Sequence, residues 1–170
     1  MQQSTVGSSV PGAHTTGSRV TREAAETHEL GRRIGAAAGR GTVLALIGPL
    51  GAGKTQLAKG VAAGLGIDGV VNSPTFILMN EHVGRLRLYH VDAYRLGEAK
   101  EAVEAGLVDD RQADGVLVVE WADRLEGYLP SGRLEIRLTE PSGEPTHRVV
   151  HWSATGDAHV RLANAILATS

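Results

Sequence analysis

Leu44-Ala45-Leu46-Ile47-Gly48-Pro49-Leu50-Gly51-Ala52-Gly53-Lys54-Thr55 is the stretch that decides the fold. Thr42 to Ile47 is a short apolar run with β-branched members, bounded by glycines, and reads as a buried strand. Gly48, four residues and then Gly53-Lys54-Thr55 follow without a gap, and Gln56 to Leu65 carries Leu57, Val61 and Leu65 at helical spacing. Strand, glycine-rich loop and helix in this order make a phosphate-binding loop. The glycines allow a tight turn that aims backbone N–H groups inward, and the helix N-terminus adds its partial positive charge. Gly48, Pro49, Leu50, Gly51, Ala52, Gly53, Lys54, Thr55 and Gln56 are therefore the candidate nucleotide contacts. In such a loop Lys54 is expected to reach the β- and γ-phosphates, and Thr55 to offer its hydroxyl to Mg2+.

The rest of the chain supplies an α/β frame around that loop. The spacing predicts a helix from about Thr21 to Ala38, with Ala24, Leu30, Ile34 and Ala37 or Ala38 on one buried face. Gly64 and Gly66 are stop signals for the second helix. Residues 75–81 and 86–92 form a hairpin around Val83-Gly84, and Glu98 to Ala105 is helical. Gly115 to Glu120 is a second buried strand, and 134–138 and 147–152 flank the Pro-Ser-Gly-Glu-Pro turn. Asp157 can cap a last helix reaching about Ala168. Residues 1–18 are Ser-, Thr- and Gly-rich and are expected to be a flexible tail, leaving 19–170 as one domain. The predicted class is an α/β, three-layer P-loop NTPase-type fold. Its sheet is mixed and mainly parallel, with a hairpin after the loop helix and a C-terminal hairpin plus helix.

Composition narrows the partners. Net charge is −2 over 170 residues, so there is no global attraction to DNA, RNA or an anionic membrane. There are no cysteines, which excludes disulfides and thiolate metal sites. The seven histidines show no ligand spacing such as His-Glu-x-x-His. No apolar run approaches the roughly 18–20 residues that span a bilayer, and a cytoplasmic location is expected. Lys59, Arg85, Arg87, Arg95 and Lys100 are either a local basic patch for tRNA or a solvated surface, and the charge balance favours the surface.

Hydrolysis needs an acid beside the metal and a group to orient water. Asp92 follows Leu88-Tyr89-His90-Val91, and Glu120 follows Val116 to Val119, so each lies at the carboxyl end of a strand where open α/β sheets bind ligands. Glu120 has the cleaner Walker-B-like context; for each the alternative is a surface acid in a salt bridge or helix cap, and it weighs more for Asp92. Thr75, in Asn72-Ser73-Pro74-Thr75-Phe76, is placed in sequence like a switch hydroxyl, or is simply a strand start. His90 reads as a hydrogen-bonded structural residue, and Trp152 as packing. The chain has no Asn-Lys-x-Asp for reading guanine and no obvious Arg-bearing lid. A small-molecule kinase and a nucleotide-gated binding module without hydrolysis stay open on these residues.

LIGPLGAGKT, NSPTF, LYHVDAYRL and LVVEWADRL, in this order and spacing, resemble the bacterial TsaE (YjeE) family, from the helix near Thr21 to the last helix. The resemblance implies a small P-loop ATPase, weak alone and stimulated by a partner. It would support formation of N6-threonylcarbamoyladenosine at tRNA position 37 (t6A37) by acting on a TsaB–TsaD heterodimer. ATP/ADP and Mg2+ would be its ligands, and tRNA would be reached through the pair, with direct contact left open. By the same resemblance Lys54, Asp92 and Glu120 are catalytic, Thr75 is the switch threonine, and Trp121 lies beside the nucleotide. Thr55, Asp92 and Glu120 are the Mg2+ residues, with the division of labour between the two acids open. Pro49, Gln56 and Ala93 depart from the family's commoner Asp, Thr and Leu, and none of them removes a glycine or the lysine.

Overall fold

The computed structural model describes residues 12–69, 71, 79–96, 100, 104, 106 and 110–169. Its elements are β1 (His14–Thr21), α1 (Ala24–Ala37), β2 (Val43–Ile47), α2 (Lys54–Gly64), β3 (Met79–Val83) and β4 (Arg87–Asp92). They continue with β5 (Val116–Glu120), β6 (Arg133–Thr139), β7 (Arg148–Thr155) and α3 (Asp157–Ile166), with short 3-10 turns at Asp110–Asp114 and Ala122–Leu125. The expected helix at Glu98–Ala105 and the first residues of the expected hairpin lie largely outside the described residues.

The seven strands form one mixed sheet in the order β1-β7-β6-β2-β5-β4-β3. The four central strands, β6, β2, β5 and β4, are mutually parallel. Antiparallel strands finish both sides. Central position explains why every residue of β2 and β5 is buried, and why both are apolar except for Glu120 at the end of β5. On one face Leu44, Leu46, Val118, Leu134 and Ile136 pack against the helices. On the other, Ala45, Ile47, Val91, Leu117 and Val119 pack under Leu96, Ala122 and Leu125. The expected three-layer α/β fold with its two hairpins is the one observed.

His14 to Ser18, which composition places in a flexible tail, belong instead to a strand. His14 to Thr21 is strand β1, paired with β7 from His14↔Thr155 to Thr21↔Arg148. Its residues alternate between exposed and half-buried, so no apolar run marks it. Gly17 is the key to its seat. A Cβ there would overlap the Trp152 ring, which lies across the glycine from the neighbouring strand. Trp152 is thus a packing residue, as expected. Thr21 belongs to the strand rather than the helix, and its hydroxyl is hydrogen-bonded to Thr27 at 2.7 Å.

Helices α1 and α2 touch backbone to backbone. A Cβ on Gly31 would overlap the Leu57 carbonyl oxygen, and one on Gly35 the Val61 carbonyl oxygen. Gly60 and Gly64 of α2 meet the carbonyls of His28 and Arg32 in the same way. Spacing of i, i+4 in both helices puts each pair on one face. Leu30, Ile34 and Ala38 are buried on the α1 face as expected, but Ala24 is exposed, and Gly31 and Gly35 join the buried face. Gly64 therefore serves the crossing as well as ending the helix. Arg85, in the β3–β4 turn, donates to the carbonyls of Gly35 and Ala38 at 2.8 Å each and closes the end of α1.

Helix α3 begins with Asp157 already inside it, after Gly156, so Asp157 favours the helix by its charge in the first turn rather than as a cap. His159, 8% exposed, accepts the Val43 N–H at 3.0 Å through Nε2. The start of β2 is thereby tied to α3.

Two outcomes test this account. Gly35→Ala should destabilise the protein by about 1–2 kcal/mol, because overlap with α2 outweighs the better helix propensity of alanine. Gly39→Ala, where nothing lies within 4 Å, should be near neutral by urea unfolding. The second concerns pH. Burial holds the His159 imidazole below its usual range, and His82 is also held low, by burial first and His90 second. The unfolded chain then binds protons more readily. This stability is complete above the unfolded value of about 6.5 and is lost as pH falls through the lower folded value. Urea midpoints should fall on acidification, and His159→Gln, which keeps an acceptor for Val43, should show a shallower fall.

Candidate nucleotide-binding site

The loop leaves the carboxyl end of β2 and enters α2 at Lys54. Gly48 is required by close approach: a Cβ there would lie 2.6 Å from the Leu138 carbonyl oxygen. Gly53 is required by conformation. It stands immediately before α2 at φ 102°, where side chains are disfavoured. Ala52 N–H donates to Pro49 O at 3.1 Å and closes the turn between them. Pro49 has no N–H, so its contribution to the cradle is its carbonyl.

Lys54 is only 5% exposed. Its ammonium donates to Gly48 O at 2.5 Å and Pro49 O at 2.8 Å, and lies 4.0 Å from the centre of the Trp121 ring. Burial pushes its pKa below the usual lysine range, while Glu120, Asp92 and Asp123 pull it back up. The ammonium thus stands at the mouth of the loop between two loop carbonyls and the face of the Trp121 ring.

Parallel pairing brings the two candidate acids together: Asp92 and Glu120 are register partners at the carboxyl ends of β4 and β5. Their settings differ. Glu120 is 2% exposed; Thr55 Oγ1 donates to its Oε1 at 2.8 Å, and His90 Nε2 donates to its Oε2 at 2.6 Å. Asp92 is half-buried, and its Oδ1 accepts the Tyr94 N–H at 2.9 Å in a local turn. The Thr55 proton points to Glu120, which turns the hydroxyl lone pairs away from that acid. Thr55, Glu120 and Asp92 form an all-oxygen donor set, the chemistry that suits Mg2+. Among the described residues no group of three or more His, Cys, Asp or Glu is placed to hold a metal. A cation held here would complete its shell with phosphate and water oxygens.

Trp121 adopts the left-handed conformation, φ 57° and ψ 40°, the one non-glycine residue with positive φ among those described. That turn, directly after β5, lays its ring over Lys54. Tyr94 packs against it with ring centres 4.8 Å apart, and Arg124 lies 5.3 Å from the Tyr94 ring centre. Such a backbone is uncommon and marks a place where structure is held for a purpose.

Arg148 escapes the motifs altogether. Its guanidinium donates to Ala52 O and Gly51 O, both at 3.0 Å, and holds the far side of the loop. A cavity of about 270 Å3 opens there, lined by Thr27, Gly51, Gly53, Gln56, Thr146 and Arg148. Only the tertiary fold brings β7 to the loop, and no spacing in the sequence signals it. Thr75 lies outside the described residues. Of the five cations weighed as a basic patch or a solvated surface, Arg85 is committed to α1, Arg87 pairs with Glu81 at 3.3 Å, and Lys100 with Glu104 at 3.6 Å.

A family model described as "Threonylcarbamoyl adenosine biosynthesis protein TsaE" matches residues 21–150. The tRNA threonylcarbamoyladenosine biosynthesis protein TsaE of Bacillus subtilis is 39% identical over 142 residues, covering 83% of this chain and 87% of that protein. The protein of the same name from Treponema pallidum is 40% identical over 119 residues, covering 70% and 88%. The crystal structure of Bacillus subtilis YdiB superposes with a TM-score of 0.74 at 34% identity, covering 92% of this chain and 97% of that one. A glycine-rich loop between β2 and α2, two acids in register beside it, and a match over most of the chain agree: the protein belongs to the TsaE family of threonylcarbamoyladenosine biosynthesis proteins.

Proposed function

We propose that this protein binds ATP with Mg2+, hydrolyses it slowly, and through that cycle supports t6A37 formation by acting on a TsaB–TsaD heterodimer. The observation that carries the reading is the hydrogen bond from Thr55 to the buried Glu120, directly beside a complete phosphate loop. The names of the relatives supply the pathway.

In this reading the loop amides and Lys54 neutralise the β- and γ-phosphates, the nucleoside end occupies the cavity beside Gln56 and Arg148, and Trp121 covers the phosphate end. Mg2+, when bound, supplies charge neutralisation between the phosphate oxygens. Thr55 and Glu120, already joined by a hydrogen bond, would hold it. Asp92, in its more open turn, is the acid left to orient water. The chain brings only sparse catalytic equipment of its own, since Arg124 is spent on aromatic faces and Arg148 on the loop. Turnover by the protein alone is therefore slow, and the partner pair completes the site. The switch role of Thr75 belongs to this proposal and comes from the family resemblance.

ATP turnover, measured alone and with the organism's TsaB–TsaD pair, tests the proposal. Turnover should rise strongly with the pair. Lys54→Ala should lower it by on the order of 100-fold, by analogy with the loss of a preorganised charge-stabilising group. Equal turnover with and without the pair, or phosphate transfer to a small acceptor, would overturn it. Titration calorimetry offers a second check. Arg148→Ala should weaken ADP binding by about tenfold, the effect of losing a charge-assisted anchor.

A further inference from the structure

We propose that His90 is a positioning residue for Glu120, and that through it the protein sets its affinity for the divalent cation of a bound nucleotide. The inference rests on the nucleotide–Mg2+ reading above and adds a residue to it.

His90 lies in β4, two residues before Asp92 and on the same face of the sheet. It pairs in register with Val118, one step below Glu120 on the adjacent strand, so its ring reaches sideways to the acid rather than forward to the loop. It is wholly buried. Nε2 donates to Glu120 Oε2 at 2.6 Å, while Nδ1 is buried and has no hydrogen-bond partner among the described residues. An unpaired buried polar atom is unfavourable, and a hydrocarbon side chain of similar size would fill this space without one. The property that only the imidazole brings is its N–H toward Glu120. The charge-assisted bond and the low polarity around it make that contact strong.

The consequence is orientation. With Thr55 on Oε1 and His90 on Oε2, both oxygens of Glu120 are engaged and the plane of the carboxylate is set. That plane fixes the direction of the Thr55 proton, and so the direction of the Thr55 lone pairs. Without the His90 N–H Glu120 loses one of the bonds that set that plane, and the orientation of Thr55 is less defined. Phosphate contacts made by the loop amides and Lys54 do not depend on this bond. The effect of losing His90 should thus fall on the cation and not on the nucleotide alone.

The test compares ADP affinity in EDTA with ADP affinity in saturating MgCl2, by calorimetry on the full chain. In His90→Phe the affinity in EDTA should stay near the wild-type value, and the gain on adding Mg2+ should shrink by about tenfold or more, the usual scale for groups that orient metal ligands. His90→Gln, which can present an N–H near the position of Nε2, should recover most of the gain. An unchanged Mg2+ gain in His90→Phe overturns the proposal, and so does an equal loss in EDTA and in Mg2+, which would mark a role in folding only. Should His90→Phe not fold, 15N-labelled wild-type protein decides. Its His90 Nε2–H resonance should shift when Mg2+ joins bound ADP and stay put when ADP binds alone; a resonance indifferent to Mg2+ overturns the proposal. A wild-type chain that binds no ADP fails the nucleotide reading itself, which separates the two failures.

Discussion

The contact between α1 and α2 is the constraint on which the rest of the molecule depends. Four glycines, Gly31, Gly35, Gly60 and Gly64, let the two helix backbones meet with no side chain between them. Each glycine weakens its own helix by roughly 0.5–1 kcal/mol relative to alanine. The return is position. A helix pinned along its length by backbone contact cannot roll or slide without overlap, so its first turn stands at a set place over the end of β2. Lys54 and Thr55 occupy that turn.

From that fixed point the site is assembled by neighbours in space. The parallel pairing of β4 with β5 brings Asp92 level with Glu120, and Glu120 then joins α2 through Thr55 and β4 through His90. A buried carboxylate is tolerated only where hydrogen bonds and nearby cations replace water, and here a hydroxyl, an imidazole and the Lys54 ammonium do so. The acid therefore belongs as much to the fold as to the chemistry. Arg148 anchors the opposite side of the loop from β7, and Trp121 lies over its lysine. Contacts from β7 and from the turn after β5 thus hold one short loop in place.

The distinction between Glu120 and Asp92 shows what local pattern leaves open. Both end apolar strands, and by position alone either could serve the metal. Their environments separate them: one is sealed under α2 and doubly hydrogen-bonded, the other sits in an Asx-type turn with Tyr94. Likewise, His14 to Ser18 looks like tail because this strand holds its place with half-buried Thr, Gly and Arg rather than an apolar run. Its place is earned by pairing with β7 and by the Trp152 ring over Gly17, contacts more than 100 residues apart in the chain.

Local physics was enough for the glycine-rich loop, for strands β2 and β5 beside it, and for the order of the described elements from α1 onward. Glycine spacing, β-branched runs and helical periodicity act over a few residues, so the chain carries them in plain view. The ends of β4 and β5 also marked Asp92 and Glu120 as the acids to watch. The tertiary structure alone decided which acid is buried, that His90 grips it, that Arg148 returns to hold the loop, and that four glycines form a seam rather than a set of helix stops. These depend on residues brought together by sheet register and helix crossing. Such contacts are chosen by how whole elements pack, and no short-range pattern encodes that choice.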